Sequence, residues 1–205
     1  MADMAQIAHA VEGGRRKVVD QLVREALAEG VKAETILNEG LVVGMTNLGE
    51  QFKNGEVYVP EVLVAARAMK TGTEILKPLL VAENVQSLGT VAIGTVEGDL
   101  HDIGKNLVGM MLEGSGFIVM DLGVDVKPEM FIDAVRGGAK IIGMSALLTT
   151  TMPMMAKVIE RLKDEGLRDQ VKVMIGGAPI TQEYADEIGA DGYSSDAASA
   201  AELAK

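Results

Sequence analysis

Apolar residues recur at helical intervals over the first 82 or so positions. Between Arg15 and Ala28, the residues Val18, Val19, Leu22, Ala26 and Leu27 share one face, and Gly30 stops the run. From Thr35 to Phe52, a second stripe runs through Ile36, Leu37, Leu41, Val42, Met45, Leu48 and Phe52. Asn54-Gly55 marks a turn, and Pro60 stands where a first helical turn tolerates it. A third stripe follows through Val62, Leu63, Ala66, Met69, Ile75, Leu76 and Leu79. Short turns between such helices predict a small antiparallel bundle.

The rhythm changes after Glu83 to Leu88, which reads as a linker. Short apolar runs rich in β-branched residues fall at 91–96, 117–123, 140–146 and 171–177, with a weaker one at 191–195. Helical stretches lie between and after them, at 103–113, 128–136, 152–163, 181–188 and 197–204. Strands alternating with helices predict right-handed βαβ crossovers and a parallel sheet. The fold class is therefore α/β: a helical bundle over residues 1–84, then a doubly wound, five-stranded Rossmann- or flavodoxin-like sheet over 89–205.

Composition narrows the function classes. A formal charge of −11 repels phosphate backbones and anionic lipids, so neither nucleic acid nor membrane is an expected partner. The longest charge-free stretch, 141–156, is too short and too broken to span a bilayer. With no cysteine, the chain has no disulfide, thiolate metal site or cysteine nucleophile, which fits a cytoplasmic location. Aromatics make up only 3% of the chain, so Ala, Val, Ile, Leu and the 13 Met must fill the core.

In an open parallel sheet, ligands bind beyond the carboxyl ends of the strands. Polar and very small residues gather there: Glu97 to Gly104 after the first strand, Ser145 to Thr151 after the third, Gly176-Gly177-Ala178 after the fourth, and Ser194 to Ala197 after the fifth. His101 is one of only two histidines in the chain. Asp99, two positions earlier, can face the same way and take the second ring N–H, as carboxylates do behind metal-bound imidazoles. No second His or Cys stands nearby to complete a zinc or iron site. A single axial His suits a macrocycle that supplies the remaining ligands, whether haem or a corrinoid. Gly98, Gly104, Gly176 and Gly177 leave room for close approach to the backbone, and Gly104 opens a helix that can face a phosphate.

Asp99-Leu100-His101-Asp102-Ile103-Gly104 resembles the D-x-H-x-x-G motif of B12-binding domains. Ser145-Ala146-Leu147 is similar to that family's S-x-L element, and Gly176-Gly177 to its G-G element. The stretch GTVEGDLHDIGKNLVG (94–109) resembles cobalamin-dependent methionine synthase and the small corrinoid proteins of methanol and methylamine methyltransferase systems. Residues 54–61 and 65–70 resemble the helical cap that precedes the B12 domain in those proteins.

The resemblance implies a methyl-carrying corrinoid subunit, bound base-off/His-on, rather than a catalyst acting on its own. His101 would be the lower axial cobalt ligand. Asp99 would hold its other nitrogen, with Thr151 extending the relay where methionine synthase has Ser. Gly98, Asp102, Ile103 and Gly104 would surround the ligand. Ser145, Leu147 and Thr149 would line the slot for the displaced nucleotide tail, Gly176, Gly177 and Ala178 its far wall, and Asp196 and Ala197 its end. Tyr58 and Leu63 would cover the upper cobalt face. The implied partners are a substrate:corrinoid methyltransferase, a second methyltransferase delivering methyl to a thiol or tetrahydrofolate, and a reductive activator. The alternative is the B12-binding subunit of a mutase, whose motif often reads D-G-H-D-R-G and which usually lacks the helical cap. A B12-sensing regulator would need a basic recognition helix, which this acidic chain lacks.

Overall fold

A computed structural model describes residues 3–82 and 87–205. They form two compact units, one through Ser87 that also takes in 113–116, and one made of the remaining residues from Leu88 to Lys205. The linker expected at Glu83 to Leu88 falls largely on 83–86, outside the described residues. No described helix is long and apolar enough to cross a membrane.

The first unit is helical: α1 (Met4–Glu12), α2 (Arg16–Ala28), α3 (Ala33–Thr35), a π-helical turn (Ile36–Val42), α4 (Val43–Lys53) and α5 (Val59–Ala82). Helix α1 lies within the stretch that reads as helical, although no apolar stripe is traced before Arg15. Asp3 caps it, accepting from the Ala5 amide at 2.9 Å, and Ile7, Ala8, Ala10 and Val11 are buried. The stripe read from Thr35 to Phe52 holds as one run but is wound as a π-helix over seven residues.

The second unit contains β1 (Thr90–Val96), α6 (Ile103–Gly114), β2 (Ile118–Val126), α7 (Pro128–Arg136), β3 (Ile141–Ser145) and α8 (Pro153–Asp164). It continues through a 3-10 turn (Arg168–Gln170), β4 (Lys172–Gly176), α9 (Gln182–Ile188), β5 (Gly192–Tyr193) and α10 (Ala197–Leu203). All strand pairs are parallel, in the order β2-β1-β3-β4-β5. This is a flavodoxin-like doubly wound sheet with its switch point between β1 and β3. The second strand ends at Val126, three residues later than its apolar pattern suggested. Two register shifts against β1 carry it on through Gly123 and Asp125.

Strand alternation gives the two faces different roles. On one face, Val96, Ile142, Met144, Val173 and Ile175 pack against Phe131 of α7 and Met155, Val158, Ile159 and Leu162 of α8. Gly94 makes room for Phe131, since a Cβ there would lie 3.0 Å from the ring. The other face carries Gly143, Ser145 and Gly176, and those small residues line a cleft against α6.

Gly177 is required by the chain itself. Its φ is +131°, and a Cβ would sit 1.9 Å from the Ala146 carbonyl oxygen. Gly177→Ala should therefore cost about 3 kcal/mol or more, or prevent folding. Urea unfolding of the purified variant checks this, and near-wild-type stability would contradict it.

Candidate functional site

Asp99 is fully buried in the crevice at the switch point. A buried carboxylate is tolerable only if its lone pairs are taken up. Its Oδ1 accepts from the His101 ring Nδ1 at 2.7 Å and the His101 amide at 3.1 Å. Its Oδ2 accepts from the Leu147 amide at 2.8 Å, the Leu148 amide at 3.2 Å and the Thr151 hydroxyl at 2.9 Å. One side chain thus joins the loop after β1 to the loop after β3. Burial pushes its pKa up, but the hydrogen bonds from Leu147, His101 and Thr151 outweigh this and hold the group ionised well below the usual carboxylate range.

The ionised carboxylate fixes the imidazole. With Asp99 as acceptor, Nδ1 must carry the proton, and the neutral ring keeps its lone pair on Nε2. The His101 side chain is 51% exposed, and its carbonyl is held by the buried Thr95 hydroxyl at 2.8 Å. Exposed apolar side chains stand close in sequence and around the loop: Leu100, Ile103, Leu147 and Leu148. The Thr151 hydroxyl also lies 2.9 Å from the Leu148 carbonyl, so its single proton has two acceptors.

A cleft open to solvent lies beside this loop. Gly104, Ser145, Gly176, Gly177 and Asp196 line it, as do Lys105, Ser194 and Ser195. Leu147, Thr149, Ala178 and Ala197 do not, although all four were expected around the slot. Leu147 acts through its amide on Asp99 instead. Thr149 and Ala178 are exposed, and Ala197 is buried at the start of α10. The Asp196 carboxylate is committed to capping α10, accepting from the Ser199 amide and hydroxyl at 2.8 Å each. Asp102 accepts from the Asn106 amide nitrogen at 3.1 Å. Tyr58 and Leu63 belong to the helical unit, where Tyr58 is exposed and Leu63 half-buried.

The glycines differ in what they are for. Gly177 is demanded by the Ala146 carbonyl, 1.9 Å from where a Cβ would stand, and at Gly176 a Cβ would lie 3.2 Å from the Ser194 carbonyl; both also line the cleft. Gly98 has φ +83°. A Cβ at Gly104 would meet nothing within 4 Å, so the chain's own packing does not demand glycine there.

The B12 binding domain model matches residues 89–202, and a second B12 binding domain model matches 4–77. The chain belongs to the B12-binding domain family. It is 45% identical to trimethylamine corrinoid protein 1 of Methanosarcina acetivorans over 93% of this chain and 89% of that protein. A cobalamin-binding protein from Desulfitobacterium hafniense superposes with a TM-score of 0.84 at 32% identity, covering 99% of this chain and 97% of that one. A chain of the methanol:cobalamin methyltransferase complex from Methanosarcina barkeri superposes with a TM-score of 0.84 at 31% identity, covering 97% of this chain and 76% of that one.

The cofactor is cobalamin or a related corrinoid, and the residues fit it. Among the described residues, no group of three or more His, Cys, Asp or Glu is placed to hold a bare metal ion. His101, in contrast, offers one oriented nitrogen beside apolar surface and an open cleft. Motif reading missed three contributors: Lys105, Asp125 and the Leu148 amide. Lys105 is buried on the cleft wall and donates to Asp121 at 2.5 Å. A lone cation in the apolar helix IGKNLVGMM was the available signal.

Because the folded pKa of Asp99 is lowered, its ionisation stabilises the fold above about pH 4. That contribution is lost as pH falls through the folded value. Asp99→Asn should cost about 1–3 kcal/mol at pH 7. Its gap from wild type should narrow progressively below about pH 4. Urea unfolding at neutral and acid pH checks both, and a gap independent of pH would show that the charge contributes nothing.

Proposed function

We propose that this chain is a corrinoid-binding methyl carrier. It takes a methyl group on cobalt from a substrate-specific methyltransferase and passes it to a second methyltransferase, which delivers it to a thiol or tetrahydrofolate. A bound corrinoid supplies a cobalt centre able to accept and give up a methyl group. His101 Nε2 would hold the cobalt, and the cleft lined by Gly104, Ser145, Gly176 and Gly177 would take the nucleotide tail.

One observation carries the reading. The ionised Asp99 accepts from His101 Nδ1, 2.7 Å from its Oδ1, which leaves Nε2 free to ligate. The protein's own part is then positional and protonic. Unligated, Nε2 could take a proton, and the ionised Asp99 at Nδ1 would stabilise that imidazolium. Thr151 adjusts the charge on Asp99 by donating to Oδ2 or turning to the Leu148 carbonyl. Asp99 and Thr151 thus act on the proton that accompanies ligation and release.

The relatives support the carrier reading over a mutase subunit. Their names place a corrinoid protein beside trimethylamine in one case and a methanol methyltransferase complex in another. The helical unit, matched by its own B12-binding model, points the same way.

The test is the electron paramagnetic resonance spectrum of the cob(II) form of the full chain. Axial nitrogen splitting should be present in the wild type and absent in His101→Ala. A spectrum indifferent to His101 would overturn the ligand assignment. Separately, affinity capture from native extract should recover a methyltransferase that methylates the loaded carrier from its own substrate. Failure of every such fraction to do so would count against the carrier reading.

A further inference from the structure

The loop that bears His101 is tethered to the edge strand at both ends. At its far end, Lys105 of α6 donates to Asp121 of β2 at 2.5 Å, and Asp121 also accepts from the Gly123 amide at 2.9 Å. At its near end, the Gly98 amide donates to Asp125 Oδ1 at 2.7 Å, and the Asp125 amide donates to the Asp99 carbonyl at 3.0 Å. Both of these Asp125 bonds go to main chain, and they flank the peptide that sets where the Asp99 carboxylate points.

Asp125 reaches this place through the irregularity of β2. Ile93 pairs with Asp121, Gly94 with Gly123 and Val96 with Val126, so β2 holds one extra residue at each of two steps. Bulges of this kind re-aim side chains next to functional sites. Among the described residues, Asp125 is the only non-glycine with positive φ, at 52°. Its opposite number, Gly98, has φ +83° and no side chain to restrain it. A residue in a sparsely populated conformation thus clamps the most permissive peptide in the loop.

We propose that Asp125 is a positioning residue for His101: by clamping Gly98 and Asp99 it pre-sets the carboxylate that orients the imidazole. The proposal rests on the reading of His101 as the axial ligand.

Two substitutions separate position from other roles. Asp125→Gly accepts the left-handed backbone and keeps the amide donor, but removes the acceptor for Gly98. Asp125→Asn tolerates the same backbone and keeps an acceptor oxygen, but removes the charge. The corrinoid-loaded full chain would be measured for both variants, the wild type and His101→Ala, recording the cob(II) nitrogen splitting and the cob(II)/cob(I) midpoint potential. Cob(I) takes no axial ligand, so imidazole stabilises the oxidised member and lowers the potential.

Loss of the clamp should weaken His101 ligation about threefold to tenfold in Asp125→Gly. A tenfold loss raises a one-electron midpoint by about 59 mV. Asp125→Asn should stay close to wild type. A wild-type potential in Asp125→Gly would overturn the proposal, as would an Asn variant shifted as far as the Gly variant. If His101→Ala changes neither potential nor splitting, the ligand reading itself fails, which is a distinguishable result.

Discussion

The site depends on one buried negative charge. Asp99 is wholly removed from solvent, yet five donors from two loops converge on its two oxygens. A buried carboxylate with fewer partners would protonate or refuse burial. Satisfied in this way it stays ionised, and an ionised carboxylate permits only one tautomer of the imidazole beside it. The direction of His101 is therefore a consequence of where the backbone amides of Leu147 and Leu148 lie.

Those amides are in place because of how the sheet is wound. The order β2-β1-β3-β4-β5 sends the chain outward in opposite directions after β1 and β3, which leaves a crevice between their carboxyl ends. Asp99 bridges that crevice. Beside it, the face carrying Gly143, Ser145 and Gly176 stays hollow, while the opposite face is filled by Phe131, Met144, Met155 and Ile159. The period-2 alternation of each strand thus makes a solid layer and a receptive layer from the same five segments. Relatives that share this arrangement include the cobalamin-binding protein whose structure superposes over nearly the whole chain.

Much of this was legible in the sequence, for identifiable reasons. Helix α7 opens at Pro128, which fixes φ at a first turn, and closes at Gly137, so both of its ends were visible. The Asp99–His101 spacing was likewise visible, because two residues of extended loop bring two side chains to one side. What escaped notice had no side-chain pattern to reveal it. The Leu147 and Leu148 amides are main-chain donors, which no side-chain pattern marks. Asp125 sits in a bulge, and bulges break the alternation by which strands are recognised. The apolar pattern of β2 therefore ended at Gly123, although pairing with β1 continued to Val126. Gly177 lines the cleft as its motif suggested, and it is also demanded by the Ala146 carbonyl, a long-range contact that no local motif encodes.

The threonine at 151 meets the same buried charge from the second loop. A β-branched side chain is stiff at χ1. The Thr151 methyl lies near Gly98, 3.5 Å from where a Cβ would stand, an ordinary packing distance. With the methyl packed there, the hydroxyl faces Asp99 Oδ2 and the Leu148 carbonyl at equal distances of 2.9 Å. Its proton satisfies only one of them at a time. Turning toward Leu148 withdraws one donor from Asp99 and leaves the carboxylate more basic toward the imidazole, whereas turning back has the opposite effect. A serine in this position could rotate out of reach of both acceptors. The stiff threonine rotamer thus keeps its hydroxyl within reach of both acceptors, the Asp99 carboxylate and the Leu148 carbonyl.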